Sequence, residues 1–261
     1  MSIPSLTLME VLTDLRREIR QAHRPTLEEV LEEYLPLPKS SIFFGVAEDG
    51  LPVLLDLGNA AVGALLLLGD RGSGKTHLLR TVARALIQTK DAAYVRFTVI
   101  TRHPEEWEDL RKAPHCEGVF GASENGASDM LYSLAARGHA DRERSFTLVF
   151  LDDLTLVQSL EYEIRLHTQW LLARGPKRKI WPVVTLAPQD FFEMQPWTGL
   201  MHTQLFARLA DSRHVEKLTG TLSLPPDPPC GSLRPGKEYA LPEGDHWLRF
   251  WIPEKGSGGF K

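Results

Sequence analysis

The sequence predicts an α/β fold in which a mainly parallel central sheet is flanked by helices, with a helical N-terminal arm and added β-hairpins. Short runs of apolar and β-branched residues predict buried strands at 64–68, 94–101, 146–151 and 180–186. Apolar residues at helical spacing predict helices at 75–88, 105–112, 128–136 and 156–171. Strands that alternate with helices are typical of a parallel sheet covered on both faces.

The composition is that of a globular chain with a packed core. Of the 261 residues, 43% are hydrophobic and 25% are charged. The longest apolar run is far shorter than the roughly 20 residues of a membrane span, and the N-terminus lacks a signal-peptide core. Cys116 and Cys230 lie far apart, without metal-ligand spacing. We therefore expect a cytoplasmic protein with no membrane segment.

The net charge gives little information about a nucleic-acid partner. A formal charge of -4 provides no overall attraction to DNA or RNA. A ring-shaped protein contacts DNA through a few loop residues, however, and an average over the chain hides them. The charge weakens a nucleic-acid hypothesis without excluding it.

Three segments are predicted along the chain: a helical arm at 1–38, a main domain at 39–253 and a flexible tail at 254–261. In the arm, the residues Leu8, Leu12, Leu15 and Ile19 have helical spacing. Thr26 and Glu29 then predict a capping box at the start of a second helix. The arm either packs on the main domain or contacts another subunit.

The main domain also carries predicted hairpins and loops. Two pairs of strand-like segments predict β structure at 42–46 with 52–57 and at 237–241 with 246–252. The proline-rich stretch 224–229 predicts an irregular loop. The glycine-rich stretch 117–126 predicts a surface loop, with a pore loop as the alternative.

The strongest motif lies between the first parallel strand and the helix after it. The pattern G-x-x-x-x-G-K-[ST] is complete at 69–76, and it predicts a P-loop that cradles the phosphates of ATP. Lys75 is expected to reach the β- and γ-phosphates, and the Thr76 hydroxyl to bind Mg²⁺. The predicted nucleotide-binding residues are Gly69, Asp70, Arg71, Gly72, Ser73, Gly74, Lys75, Thr76 and His77.

Two consecutive carboxylates follow the buried strand at 146–151. Asp152 is expected to support Mg²⁺ beside the P-loop, as the second metal residue with Thr76. Asp153 is then placed to polarise the attacking water. An apolar strand that ends in two aspartates is often only a strand-to-loop transition, and the P-loop upstream is what favours the catalytic interpretation.

Further catalytic candidates lie at the ends of predicted elements. Gln189 closes the strand at 180–186 and its extension, where a polar side chain senses the γ-phosphate; the alternative is a simple loop cap, with Thr185 as the next sensor candidate. Arg174 and Arg208, with Arg213, are candidates for arginines that act on a neighbouring subunit's ATP, and each alone also fits a surface ion pair. The histidines are scattered without metal-ligand spacing.

With these residues in place, the chain from about Ile42 to Ile252 resembles the FtsK/HerA group of ring-forming DNA-pumping ATPases. The segment 44–57 looks like the hairpin before their P-loop. The strand that ends at Ala187, Pro188 and Gln189 resembles their strand with a sensor glutamine. The segments 206–213, 217–220 and 233–237 are similar to the regions that follow it.

The resemblance implies a RecA-like core, a homohexamer with ATP and Mg²⁺ between subunits, arginine fingers in trans and double-stranded DNA in a central pore. By position, it marks Arg174 and Arg208 as the finger candidates, one or the other of which would act on the neighbouring subunit's ATP. Those proteins usually have Asp-Glu where this chain has Asp152 and Asp153, so slower hydrolysis is expected. The chain shows no DNA-reading domain, which fits a bare motor or one that works with a separate nuclease or other DNA-processing protein.

A second resemblance is to the DnaA-type AAA+ initiators and loaders, through residues 74–79 and 151–154. Those proteins continue into a helical lid, whereas this chain runs into a proline-rich loop and strands. The leading hypothesis is therefore an ATP-hydrolysing ring motor on double-stranded DNA. The alternative is an ATP-gated assembly switch with slow hydrolysis, which suits Asp153, the acidic net charge and the helical arm.

Overall fold

A ten-stranded sheet forms the centre of the fold in the computed structural model, which describes residues 25–140 and 145–256. The strands are β1 Ser41–Ala47, β2 Pro52–Asp56, β3 Leu65–Leu68, β4 Val95–Thr101, β5 Cys116–Gly121, β6 Phe146–Asp152, β7 Ile180–Leu186, β8 Thr203–Phe206, β9 Glu238–Glu243 and β10 His246–Trp251. The helices are α1 Leu27–Tyr34, α2 Lys75–Thr89, α3 Glu108–Arg111, α4 Asn125–His139, α5 Tyr162–Arg174, α6 Gln195–Thr198 and α7 Ser212–Leu222.

The strand order is β2-β1-β10-β9-β8-β3-β7-β6-β4-β5. The six strands from β8 to β5 run parallel, and the four from β2 to β9 form an antiparallel extension. The predicted α/β class with a mainly parallel sheet and added hairpins is confirmed. Because parallel strands end at the same edge, the segments after β3, β6, β7 and β8 converge there.

Two hydrophobic cores cover the two faces of this sheet. Alternate residues of a strand point to opposite faces, so Leu65 and Leu67 pack with α2 while Leu66 and Leu68 pack with α4 and α5. All four leucines of β3 are at most 3% exposed. A strand buried on both faces needs such an unbroken apolar run, which explains why β3 was readable from sequence.

The second helix of the arm forms as its sequence predicts. Thr26 and Glu29 make both hydrogen bonds of the capping box at the start of α1. Leu27 and Leu31 of α1 pack against Phe43 of β1 and Ala85 of α2. The helix expected near residues 8–19 lies outside the described residues.

Several predicted elements need correction. The stretch 117–126 is not a loop: it forms most of β5 and the start of α4. As an edge strand β5 is only partly buried, so its apolar pattern is weak, and Gly118 leaves room for the ring of Phe120. The long helix expected at 156–171 is instead a 3-10 helix at Leu154–Ser159 followed by α5. The chain is extended at Leu160, between the two.

The first residues after β10 are held against α1. The Glu254 carbonyl accepts from Leu27 N (3.0 Å), and Glu254 N donates to the Pro25 carbonyl (3.1 Å). Lys255 pairs with Asp109 at 3.1 Å. Across the described ranges, every helix is too short or too polar to cross a membrane.

Candidate active site

The P-loop has the predicted strand–loop–helix context, since β3 precedes it and α2 begins at Lys75. Gly72 and Gly74 adopt φ values of 76° and 94°, which glycine accepts without strain. Gly74 is the N-cap of the 15-residue α2, so the helix dipole adds to the loop N–H groups at this point. A loop of this geometry at a helix N-terminus is an anion-binding site.

The C-terminal half of the chain braces this loop. Asp70 N donates to the Arg208 carbonyl (3.0 Å), and Ala210 N donates to the Asp70 carboxylate (2.7 Å). Gly236 N donates to the Ser73 carbonyl at 2.8 Å. These bonds fix the P-loop to the segments after β8 and before β9.

Tyr239 of β9 adds a further brace. Its hydroxyl donates to the Gly74 carbonyl at 2.8 Å. Burial raises the pKa of Tyr239, so the hydroxyl keeps its proton for this bond. A Cβ atom at Gly74 would overlap the backbone of Gly236, so glycine is required there for contact as well as for its φ.

Lys75 lies folded over the P-loop. Its Nζ donates to the carbonyls of Gly69 (2.7 Å) and Asp70 (2.9 Å). Burial lowers the pKa of Lys75, while Asp152 and Asp153 oppose that change. An ammonium surrounded by loop carbonyls and flanked by carboxylates is suited to neutralise phosphate charge.

Asp152 is brought to the P-loop by the strand order. Strand β7 lies between β3 and β6, and Thr185 near the end of β7 donates to Asp152 Oδ1 at 3.0 Å. Thr76 Oγ1 donates to Asp152 Oδ2 at 2.8 Å. Burial raises the pKa of Asp152, whereas the hydrogen bonds from Thr76 and Thr185 favour its charged form.

This donor set fits Mg²⁺. A hydroxyl and a carboxylate 2.8 Å apart are the oxygen ligands that Mg²⁺ takes beside substrate phosphates. A bound divalent cation favours the ionised carboxylate, opposing the effect of burial. The buried Ser73 hydroxyl has no hydrogen-bond partner in the described part of the chain, which also leaves it available to a ligand. Among the described residues, no group of three or more His, Cys, Asp and Glu side chains could hold a metal by itself.

Asp153 adopts a backbone conformation that is rare outside glycine. Its φ is 98°, and its side chain caps the 3-10 helix Leu154–Ser159. Oδ1 accepts from Thr155 N (3.0 Å) and Thr155 Oγ1 (2.7 Å), and Oδ2 accepts from Arg102 Nε (3.2 Å). Asp153 N donates to Thr185 Oγ1 at 2.8 Å. Sequence reasoning found Asp153 but not Arg102 or Thr155.

Gln189 lies in the 3-10 turn Pro188–Asp190 after β7 and is exposed. The residue of this strand that contacts the two aspartates is Thr185, the second sensor candidate. A signal for it was present in the sequence, because Thr185 is a polar residue inside a fully buried strand. Burial and the charges of Asp153 and Glu193 raise the pKa of the neighbouring Asp190.

The remaining predicted residues lie at different places. Arg71 is exposed on the P-loop, and His77 is partly buried in the first turn of α2. Arg208 lies beside its own P-loop through the bond from Asp70. Arg174 is exposed at the end of α5, before β7 begins, and therefore at the opposite edge of the sheet. Arg213 pairs with Asp211 at 2.8 Å.

The strand order, the P-loop and the carboxylate at the end of β6 define a P-loop ATPase fold of the RecA-like class. No known protein-family model matches this chain, and no curated protein is detectably similar to it in sequence. Solved structures do share the fold. The cytoplasmic domain of the type VII secretion ATPase EccC from Thermomonospora curvata superposes with a TM-score of 0.65 at 18% identity. That match covers 91% of this chain and 28% of EccC's.

Two further structures with this fold come from proteins with other roles. The pCW3 conjugation coupling protein TcpA, solved with ATPγS, superposes with a TM-score of 0.63 at 14% identity. This match covers 85% of this chain and 68% of the TcpA chain. B204, the DNA-packaging ATPase of Sulfolobus Turreted Icosahedral Virus, has a TM-score of 0.50 at 8% identity over 74% of this chain and 98% of its own. EccC and TcpA are FtsK/HerA-type ATPases, so the resemblance to that group is confirmed for the fold.

Proposed function

We propose that this chain binds ATP with Mg²⁺ at its P-loop and hydrolyses it. The observation that carries the proposal is a pair of hydrogen bonds to Asp152 at the end of β6, one from Thr76 at the N-terminus of α2 and one from Thr185 of β7. Thr76 and Asp152 would hold Mg²⁺, which supplies charge neutralisation to the phosphates when bound. Lys75 neutralises further phosphate charge, and the loop N–H groups orient the chain of phosphates.

In this proposal Asp153 supplies the proton acceptor. A water attacks the γ-phosphorus, the bond to the bridging oxygen breaks, and Asp153 takes the water's proton. Thr185 fixes the positions of Asp152 and Asp153 relative to each other, because its hydroxyl is hydrogen-bonded to both residues. Gln189, at the carboxyl edge after β7, stays a candidate for sensing the γ-phosphate.

We infer further that copies of the chain assemble into a ring, a homohexamer in which ATP lies between subunits. The position of Arg174 supports this, because it lies at the sheet edge opposite its own P-loop and is exposed. An arginine there is suited to act on the ATP of a neighbouring copy. Arg208, beside its own P-loop, is better placed to act within one subunit.

We propose double-stranded DNA as the substrate that such a ring moves. The resemblance to DNA-pumping ATPases supports it, as does the shared fold with TcpA, a conjugation coupling protein, and with B204, a DNA-packaging ATPase. A separate nuclease or other DNA-processing protein would then complete the system. EccC, a secretion ATPase, shows that the same fold also occurs in systems with other roles.

One observation favours the second candidate, an ATP-gated assembly switch with slow hydrolysis. The carboxylate of Asp153 accepts three hydrogen bonds from Arg102 and Thr155. A proton acceptor engaged in this way must leave its partners before it meets a water. Hydrolysis would then be slow until another subunit or a partner changes this arrangement.

The first experiment is steady-state ATP hydrolysis with Mg²⁺, with and without linear duplex DNA. We expect hydrolysis that duplex DNA stimulates and that Lys75→Ala abolishes, since loss of the P-loop lysine removes charge at the transferred phosphate. Lys39→Ala, on an exposed lysine far from the loop in sequence, is the matched control and should behave as wild type.

The other outcomes separate the two candidates. Slow hydrolysis that ignores duplex DNA, together with assembly that depends on a non-hydrolysable ATP analogue, would reject the motor in favour of the switch. No Lys75-dependent binding of ATP would reject both.

A further inference from the structure

The side chain of Asp153 is held on the side of β6 away from the P-loop strand. The sheet order places β7 and β3 on one side of β6 and β4 on the other. Asp152 turns to the first side, where it meets Thr76 and Thr185. Asp153 meets Arg102, which follows β4 on the other side, at 3.2 Å. The carboxylates of the two neighbouring aspartates thus point to opposite sides of β6.

The backbone at Asp153 is held in a strained conformation. Its φ of 98° is strained for a residue with a side chain, and such conformations persist when surrounding bonds over-determine them. Here the bonds are the Thr155 cap, the Arg102 ion pair and the Thr185 bond to the Asp153 N–H. Of these three, the Arg102 ion pair is the one that holds the carboxylate itself from outside the turn that Asp153 begins.

Arg102 is the part of this set that is easiest to release. Its side chain is 50% exposed and that of Asp153 is 37% exposed, so solvent competes for the pair. Arg102 also donates to Thr155 Oγ1 at 3.1 Å. It therefore contacts both residues of the cap, Asp153 and Thr155. Thr155, by contrast, lies in the same 3-10 helix that Asp153 caps and moves with it.

We propose that Arg102 is a positioning residue that restrains the Asp153 carboxylate, and that its release precedes activation of water. This inference rests on the proposed ATPase activity and deepens it. It predicts that the wild-type protein without a partner hydrolyses ATP more slowly than the same site does once Arg102 is released.

The test compares Arg102→Ala with Arg102→Lys and with Arg111→Ala, an arginine of similar exposure in the ion pair with Glu108. We expect Arg102→Ala to raise kcat without DNA by about two- to fivefold, the range that one exposed charge pair allows, with the KM for ATP unchanged. Arg102→Lys keeps a cation and should rise less, and Arg111→Ala should not rise. Asp153→Asn in the Arg102→Ala background should remove the gain.

The opposite results overturn the inference. An unchanged or lower kcat in Arg102→Ala, with an unchanged melting temperature, would show that the pair does not restrain hydrolysis. Full activity in Asp153→Asn would overturn it too, while Lys75-dependent hydrolysis would leave the ATPase proposal standing. If wild type does not hydrolyse ATP, a measurable rate in Arg102→Ala supports the restraint. If neither protein hydrolyses ATP, both the restraint and the proposed ATPase activity are overturned.

Discussion

Thr185 connects the two aspartates that follow β6. Its hydroxyl accepts from Asp153 N at 2.8 Å and donates to Asp152 Oδ1 at 3.0 Å. One hydroxyl acts as donor and acceptor at once, which a valine of the same shape cannot do. The side chain is 1% exposed, so water does not replace it. Thr185 therefore sets the position of Asp152, the carboxylate proposed to hold Mg²⁺, relative to Asp153, the proposed proton acceptor.

Thr185→Val is expected to lower kcat at least tenfold. The substitution leaves Asp153 N and one oxygen of Asp152 without a partner, at a cost of about 1–3 kcal/mol. Thr168→Val is the matched control, since Thr168 is equally buried and bonds only within α5, to the Ile164 carbonyl. Both variants should lose some stability in a denaturant titration, but only Thr185→Val should lose turnover. Equal turnover in the two would exclude this role.

At the residue scale, the sequence alone located the part of the site that is contiguous. The P-loop is eight consecutive residues with glycines at defined places, and Asp152 ends an apolar strand, so both carry local signals. Arg102 carries none, because its partner Asp153 is recognised only once β4 and β6 are paired in register. The brace from Tyr239 to Gly74 joins residues 165 apart, beyond any local pattern.

At the element scale, burial decided which strands were predicted. Strands β3, β6 and β7 are almost wholly buried and read as apolar runs. Strand β5 at the sheet edge and the four-residue β8 are only partly buried, and neither was predicted. The 3-10 helix Leu154–Ser159 shares its apolar spacing with α5, so sequence joined them into one helix.

Asp109 joins three elements around the P-loop helix. This residue of α3 pairs with Arg80 and Arg84 of α2 at 3.0 and 2.7 Å and with Lys255 after β10 at 3.1 Å. Burial opposes its ionisation, but hydrogen bonds from Arg84 and Lys255 outweigh that and lower its pKa to about 2. The cluster therefore ties the helix that starts at Lys75 to the end of the described chain.

Asp109→Asn is expected to reduce stability and flatten its dependence on acid. A pKa lowered from 3.8 means that the stabilisation is complete above about pH 4 and is lost as pH falls to about 2. Since the Asp109 side chain is 32% exposed, we expect roughly 1 kcal/mol from this term. Unfolding by urea at pH 7, 4, 3 and 2 measures it, with exposed Asp129→Asn as control. A wild-type slope retained in Asp109→Asn would refute the assignment.

At the scale of the whole molecule, the parallel sheet has two chemically different sides. One, the carboxyl edge, lies where its strands end, and the other, the amino edge, lies where they begin. The carboxyl edge carries the P-loop, the two aspartates and the Arg208 segment. The amino edge carries Arg174, separated from that site by the seven residues of β7, or about 20 Å. An arginine side chain does not span that distance, so Arg174 cannot complete the site of its own subunit. A ring in which one subunit's amino edge approaches the next subunit's P-loop would use both edges.

A mixing experiment tests this arrangement. Arg174→Ala subunits keep their P-loop, and Lys75→Ala subunits keep their Arg174, so each alone should hydrolyse ATP poorly. In a random equimolar ring, about a quarter of the interfaces pair an intact P-loop with an intact neighbouring arginine, and hydrolysis should return to about that fraction of wild type. Arg208→Ala mixed with Lys75→Ala should show no recovery, since Arg208 lies beside its own P-loop. Recovery with Arg208→Ala and not with Arg174→Ala would reverse the assignment of the two arginines, and recovery with neither would argue against catalysis between subunits.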